Sequence, residues 1–255
     1  MSLRLRDVAV AFGGVAALGG VSFEVRPGTI TSLIGPNGAG KTTAFNAITG
    51  YIRPTRGDIA YERTALTRLR PCDIAARGIV RTFQKTSVFP ALTAFANVMI
   101  GLHLRSSATL FGVLLGGRRL AGEEARLGAE AEALLGFVGL SGRRDTIATA
   151  MPYGDQRLLE LAIALAARPR LLLLDEPAAG MTGGEKLAVM ELIRRIRAEG
   201  VTVFLVEHDM RLVMGVSDHV VVLSGGRVIA EGPPAAVQAD AEVIRAYLGT
   251  TPAEA

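Results

Sequence analysis

Gly35-Pro36-Asn37-Gly38-Ala39-Gly40-Lys41-Thr42-Thr43 fits G-x-x-x-x-G-K-[ST], a phosphate-binding loop. Its glycines let the backbone turn tightly with no Cβ in a phosphate's way. Successive N–H groups can then point inward at a β-phosphate. Lys41 adds a point charge near the β- and γ-oxygens, and Thr42 offers a hydroxyl to Mg²⁺. The flanks agree. Residues 30–34 read as a short buried strand, and 42–49 can open a helix whose N-terminal dipole faces the phosphates. Lysine is otherwise rare here: Lys41, Lys85 and Lys186 are the only three among 28 basic residues. A compact ammonium suits this position where a planar guanidinium does not.

Working outward, 255 residues are enough for one large domain or two small ones. A hydrophobic content of 49% with 20% charged residues indicates a globular chain. No leader peptide is expected at the start, and no stretch has 18 uninterrupted apolar residues. The single cysteine, Cys72, excludes an intramolecular disulfide and a multi-cysteine zinc site. The net charge of +4 suits anionic ligands, a negative membrane surface, or simply an arginine-rich solvated exterior. The positive mean hydropathy, +0.35, points to apolar surface covered by a partner.

Strand and helix patterns alternate, which favours an α/β fold. Residues 3–10 and 21–25 alternate apolar and polar side chains, as strands of an antiparallel sheet do. A short strand is expected at 58–61, a helix at 71–77 and a strand at 78–83. From 88 to 167 the pattern turns helical. Leu92, Phe95, Val98, Met99 and Leu102 fall at helical spacing, 111–115 form a second apolar cluster, and 118–138 read as an amphipathic helix. The α/β pattern resumes with the buried run 171–174 and continues with a helix at 183–198, a strand at 201–206 and a helix at 208–216. A hairpin follows around Ser224-Gly225-Gly226, then a helical tail over 233–248 and a frayed end at 250–255.

Asp175 and Glu176 close the 171–174 run. One carboxylate there can hold Mg²⁺ through water, and the next can orient or deprotonate a water that attacks a γ-phosphate. On its own, Asp-Glu-Pro could equally cap a helix. His208 follows the 201–206 strand, where an imidazole can hydrogen-bond a γ-phosphate oxygen.

The phosphate loop, Gln84, Tyr153-Gly154-Asp155-Gln156-Arg157, the 171–176 segment and His208 occur in the order and spacing of ABC transporter ATP-binding subunits. Within that family the chain most resembles the subunits that energise branched-chain amino-acid importers. Arg81-Thr82-Phe83-Gln84, Pro177-Ala178-Ala179-Gly180-Met181 and Val206-Glu207-His208-Asp209-Met210 carry that likeness. Urea and other amide importers use similar subunits.

The resemblance implies a P-loop NTPase (RecA-like) core over about 1–87 and 168–232, with an antiparallel β subdomain. It also implies an inserted helical subdomain at about 88–167 and a tail at 233–255. ATP and Mg²⁺ are the implied ligands. Gly35, Pro36, Asn37, Gly38, Ala39, Gly40, Lys41, Thr42 and Thr43 would hold the phosphates. Phe12 would stack on adenine, and Glu176, His208 and Lys41 would be catalytic. Thr42, Gln84 and Asp175 would reach the metal. Tyr153, Gly154 and Asp155 stand in the signature segment, which in the family touches the γ-phosphate held by an opposed second cassette.

That segment departs from the common Leu-Ser-Gly-Gly-Gln. Pro152 has neither hydroxyl nor N–H, so one hydrogen bond to charge, about 1.5–3 kcal/mol, is missing. Asp155 is expected to cap the following helix. The implied partners are a second ATP-binding subunit, the same or different, separate membrane-spanning permease subunits and, indirectly, a substrate-binding protein, with no nucleic acid. The implied location is the cytoplasmic face of the cell membrane. An exporter, a soluble ABC protein acting on ribosomes or DNA, and a GTPase or nucleotide kinase are the rival readings; no Asn-Lys-x-Asp guanine motif is present.

Overall fold

The computed structural model describes residues 2–82, 88–103 and 118–248. These fall into two compact units, one of residues 1–81, 170–179 and 186–255, the other of 82–169 and 180–185.

The first unit holds two sheets. Strands β1 (Leu3–Phe12), β2 (Val15–Val25), β4 (Arg56–Tyr61) and β5 (Thr64–Ala65) form an antiparallel sheet in the order β2-β1-β4-β5. Strands β3 (Ile30–Ile34), β6 (Ile79–Arg81), β7 (Leu171–Asp175), β8 (Thr202–Val206), β9 (His219–Ser224) and β10 (Arg227–Gly232) form the second, ordered β10-β9-β3-β8-β7-β6. It is parallel except for the β9–β10 hairpin. Strands β3, β7 and β8 are buried at every residue, Thr31 and Ser32 of β3 included, as strands of a sheet covered on both faces should be.

The pleat sends alternate side chains of β3 and β9 to opposite faces. Leu33, Val221 and Leu223 join a large core with Leu3, Leu5, Val21, Phe45 and Phe204, so both sheets share one interior. Ile34, Val220 and Val222 face the other way, onto Val213, Val237 and Val243. Helices α1 (Lys41–Ile48), α2 (Pro71–Ala75), α6 (Gly183–Ala198), α7 (Met210–Val216), α8 (Pro234–Gln238) and α9 (Ala241–Leu248) complete the connections.

The second unit is built on α3 (Ala94–His103), α4 (Arg118–Phe137) and α5 (Tyr153–Ala166), which pack on one another. Val98, Leu102, Leu127, Ala131, Leu135, Leu159 and Ala162 are buried. Gly101 permits a close approach of α3 to α5, since a Cβ there would lie 2.9 Å from the Ala166 methyl. Buried Asn97 accepts from the Phe89 N–H at 2.7 Å and donates to the Thr93 and Phe89 carbonyls at 2.9 and 3.1 Å, pinning the segment ahead of α3.

Several boundaries differ from the sequence expectation. Strand β2 starts at Val15, not at 21, and pairs with β1 through register shifts. Gly19 and Gly20, the latter at φ +99°, interrupt the alternation there. The expected helical tail is two helices, because Asp240 accepts from the Glu242 and Val243 N–H groups and so caps a second start. Strand β6 ends at Arg81. Leu92, counted on a helical face, precedes α3 and is exposed. The apolar cluster at 111–115, Gln84 and the frayed end at 250–255 lie outside the described residues.

Candidate functional site

The phosphate loop follows β3, which lies between β8 and β9. Gly35 has φ +151°, and a Cβ on it would sit 2.1 Å from the Leu223 carbonyl oxygen, so only glycine fits. Gly38 has φ +79° and faces open space. Gly40, at φ +102°, starts α1, and a Cβ there would come 2.6 Å from the Ala17 carbonyl oxygen. Asn37, Gly38 and Thr42 are exposed at the mouth of this cradle. The Lys41 ammonium donates to the Gly35 and Pro36 carbonyls at 2.7 and 3.0 Å, folded over its own loop. Burial pushes its pKa down, and the nearby Glu176 carboxylate opposes that shift.

The carboxyl ends of β8 and β7 come next to β3 in the sheet, and they deliver the other expected residues. Parallel sheets bind ligands at such an edge. Glu176 sits just past β7 in a left-handed conformation, φ +50°, which side chains other than glycine seldom adopt. Its N–H donates to the Val206 carbonyl at 2.9 Å. His208, just past β8, brings Nδ1 to 4.0 Å from Glu176 Oε1 with its ring largely exposed. Lys41, Glu176 and His208 are therefore gathered at one edge. Phe12 ends β1 and is 52% exposed, so its ring is open to a ligand and is not a buried strand end.

Two contributors escape a reading of the sequence. Buried Glu207 accepts from the Ala178 N–H through Oε1 at 3.1 Å, and from the His208 and Asp209 N–H groups through Oε2 at 2.9 and 3.2 Å. One carboxylate thus ties the turn after β7 to the turn after β8. Arg81 donates to Asp175 Oδ2 at 2.8 Å, with both side chains inside the protein. Asp175 ends β7 as expected, but it comes with a buried guanidinium partner. A third feature lies in the tail: α9 seats Val243 beside Ile34, and burial pushes the Tyr247 hydroxyl pKa up while the Gly35 backbone N–H opposes that shift.

The signature segment belongs to the helical unit. Pro152 is the residue before α5, and its carbonyl accepts the first helical bond from the Gln156 N–H at 3.0 Å. Asp155 is therefore not the cap. It lies in the first helical turn, paired with Arg143 at 3.2 Å, which offsets its charge. Tyr153 is 45% exposed, and its hydroxyl accepts from Arg157 Nε at 3.0 Å. Arg157 in turn pairs with buried Glu160 at 2.9 Å. A Cβ on Gly154 would lie 2.2 Å from Glu185 Oε1, so the glycine is set by packing as well as by backbone access.

A family model described as "ABC transporter" matches residues 18–179, and one described as "Branched-chain amino acid ATP-binding cassette transporter" matches 227–253. The chain belongs to the ABC transporter ATP-binding family. Among relatives of this cassette, the high-affinity branched-chain amino acid transport ATP-binding protein LivG of Salmonella typhimurium is 40% identical over 97% of both chains. BraF of Pseudomonas aeruginosa, of the same description, is 39% identical over the same share. The crystal structure of the ADP conformation of an ABC transporter's ATP-binding cassette superposes with a TM-score of 0.84 at 30% identity, covering 98% of this chain and 99% of that one.

The oxygen chemistry at the loop fits a nucleotide with Mg²⁺. Gly38, with open space where a Cβ would lie, leaves room for a phosphate beside the first turn of α1. The Thr42 hydroxyl and the Asp175 carboxylate are hard donors of the kind that Mg²⁺ takes alongside substrate phosphates.

Proposed function

We propose that this chain is the Mg²⁺-dependent ATPase subunit of a membrane importer, most fittingly one for branched-chain amino acids. It works as one of two cassettes attached to separate membrane-spanning subunits, at the cytoplasmic face of the membrane. The observation that carries the chemistry is the gathering of Lys41, Glu176 and His208 at the carboxyl edge of adjacent parallel strands. The 40% identity to LivG over nearly the whole chain supports the cargo class.

Loop N–H groups and Lys41 hold the β- and γ-phosphates, and Phe12 offers its ring to the base. Thr42 and Asp175, with Gln84, would hold Mg²⁺, which would neutralise charge on the phosphate oxygens. Glu176 takes a proton from the water whose oxygen bonds to the γ-phosphorus as the bridging bond to ADP breaks. His208 steadies the γ-phosphoryl oxygens. Glu207 holds the backbone under His208 in place. Tyr153, Gly154 and Asp155 contribute from the opposed cassette.

No helix among the described residues is long and apolar enough to cross a membrane. Phe89, Leu92 and Ile147 are exposed in the helical unit, joined by the Ala148 N–H to Leu92 carbonyl bond of 2.9 Å. They offer the membrane subunits an apolar surface.

The test is reconstitution with the membrane subunits and binding protein in vesicles. Wild type should drive ATP-dependent leucine, isoleucine or valine uptake. Glu176→Gln should keep ATP affinity and turn over at least about tenfold slower, a floor beneath the roughly 10²–10⁴-fold that a general base contributes. Near-normal hydrolysis by that variant refutes the catalytic assignment; uptake of another solute alone refutes the cargo.

A further inference from the structure

Arg81 lies almost wholly inside the protein, with 6% of its side chain exposed against 2% for Asp175. Nη2 donates to Asp175 Oδ2 at 2.8 Å. Nη1 donates to Asn46 Oδ1 at 2.7 Å and to Thr49 Oγ1 at 3.3 Å. The guanidinium carbon lies 5.4 Å from the centre of the Phe45 ring. Asn46, Phe45 and Thr49 belong to α1 and its C-terminal cap, the helix that opens with Lys41 and Thr42. Strand register sets Arg81 beside Leu173, two residues before Asp175. One planar cation thus joins the carboxylate ending β7 to the helix that follows the phosphate loop.

A buried carboxylate needs a counter-charge, and any cation would supply it. Arg81 supplies direction as well. A guanidinium is a rigid fork. With one arm on Asn46 and Thr49 and its face near Phe45, the other arm can approach Asp175 only from one side. We propose that Arg81 is a positioning residue that sets the orientation of the Asp175 carboxylate towards the divalent cation accompanying the nucleotide. This rests on the nucleotide-site reading above. Lys41 and the loop amides do not depend on Arg81 for any contact described here, so the grip on phosphate and the grip on the cation should separate.

The experiment measures ATP binding to the full chain by calorimetry, first in EDTA and then across a Mg²⁺ titration. Arg81→Met should leave affinity in EDTA within about twofold of wild type and raise the Mg²⁺ concentration giving half-maximal tightening by at least about tenfold, the scale seen when outer partners of metal ligands are removed. Arg81→Lys, which keeps charge without the fork, should fall between the two. Asn46→Ala loosens only the anchoring arm; it should move the same way by a smaller factor, and it decides the matter if Arg81→Met does not fold. A Mg²⁺ midpoint unchanged within about twofold, or lowered, in folded variants overturns the proposal. If wild type itself shows no Mg²⁺-dependent ATP binding, the nucleotide reading fails first.

Discussion

Glu207 places a carboxylate in the interior, and backbone N–H groups satisfy it. Its oxygens take hydrogens from Ala178, His208 and Asp209. Two of these donors lie in the turn that presents His208, and the third follows Glu176 by two residues. Glu207→Gln keeps the shape but turns one acceptor into an N–H group that faces other N–H groups. The expected cost is about 1–3 kcal/mol of stability, the range for a buried polar group left unsatisfied. Turnover should fall because both turns loosen. Urea unfolding reads the first effect and steady-state hydrolysis the second; an unchanged unfolding midpoint would contradict this account of Glu207. Lys41, Glu176 and His208 were legible in the sequence because each stands at a strand or loop end whose apolar run announces it. Glu207 and Arg81 stand within motifs that by themselves give them no role. Their work depends on which strands lie side by side, and no local pattern encodes the order β3-β8-β7-β6.

At the scale of elements, the parallel strands are readable because apolar-rich runs of about five residues, bounded by turn residues, are too short for helices. The antiparallel sheet was read less completely. The register shifts around Val8 and the Gly19-Gly20 pair break the period-2 alternation on which the reading relies. The cap of α5 lies three residues before the expected Asp155 for a related reason: Asp155 has good cap chemistry, but Pro152 supplies the first helical carbonyl and an extended ψ of 151°. Pro152 makes no side-chain cap bond. Pro152→Ser would restore a hydroxyl beside the first-turn N–H groups of Tyr153, Gly154 and Asp155. We expect higher ATPase activity in the assembled complex, with one charge-assisted hydrogen bond regained at a γ-phosphate. Equal or lower activity would show that the proline costs nothing there.

At the scale of the molecule, the phosphate loop and the first turn of α5 belong to different compact units. If one ATP is shared between the loop of one copy and the α5 start of another cassette, the two segments must respond to nucleotide by different laws. Binding at the loop is a property of one chain and follows ATP concentration alone. Contact at Tyr153–Asp155 also requires a partner, so it follows protein concentration as well. Hydrogen exchange separates these cases, since N–H groups that grip phosphate stop exchanging. In Glu176→Gln with saturating Mg-ATP, peptides covering 35–43 should be protected at every protein concentration. Peptides covering 152–157 should gain protection only where sedimentation shows paired chains. Protection of 152–157 in a dilute, monomeric sample would place both segments on the same nucleotide within one chain, and the opposed-pair reading would fall. Because Arg143 already offsets the Asp155 charge, adding salt should strengthen that protection less than an unpaired carboxylate beside a phosphate would suggest.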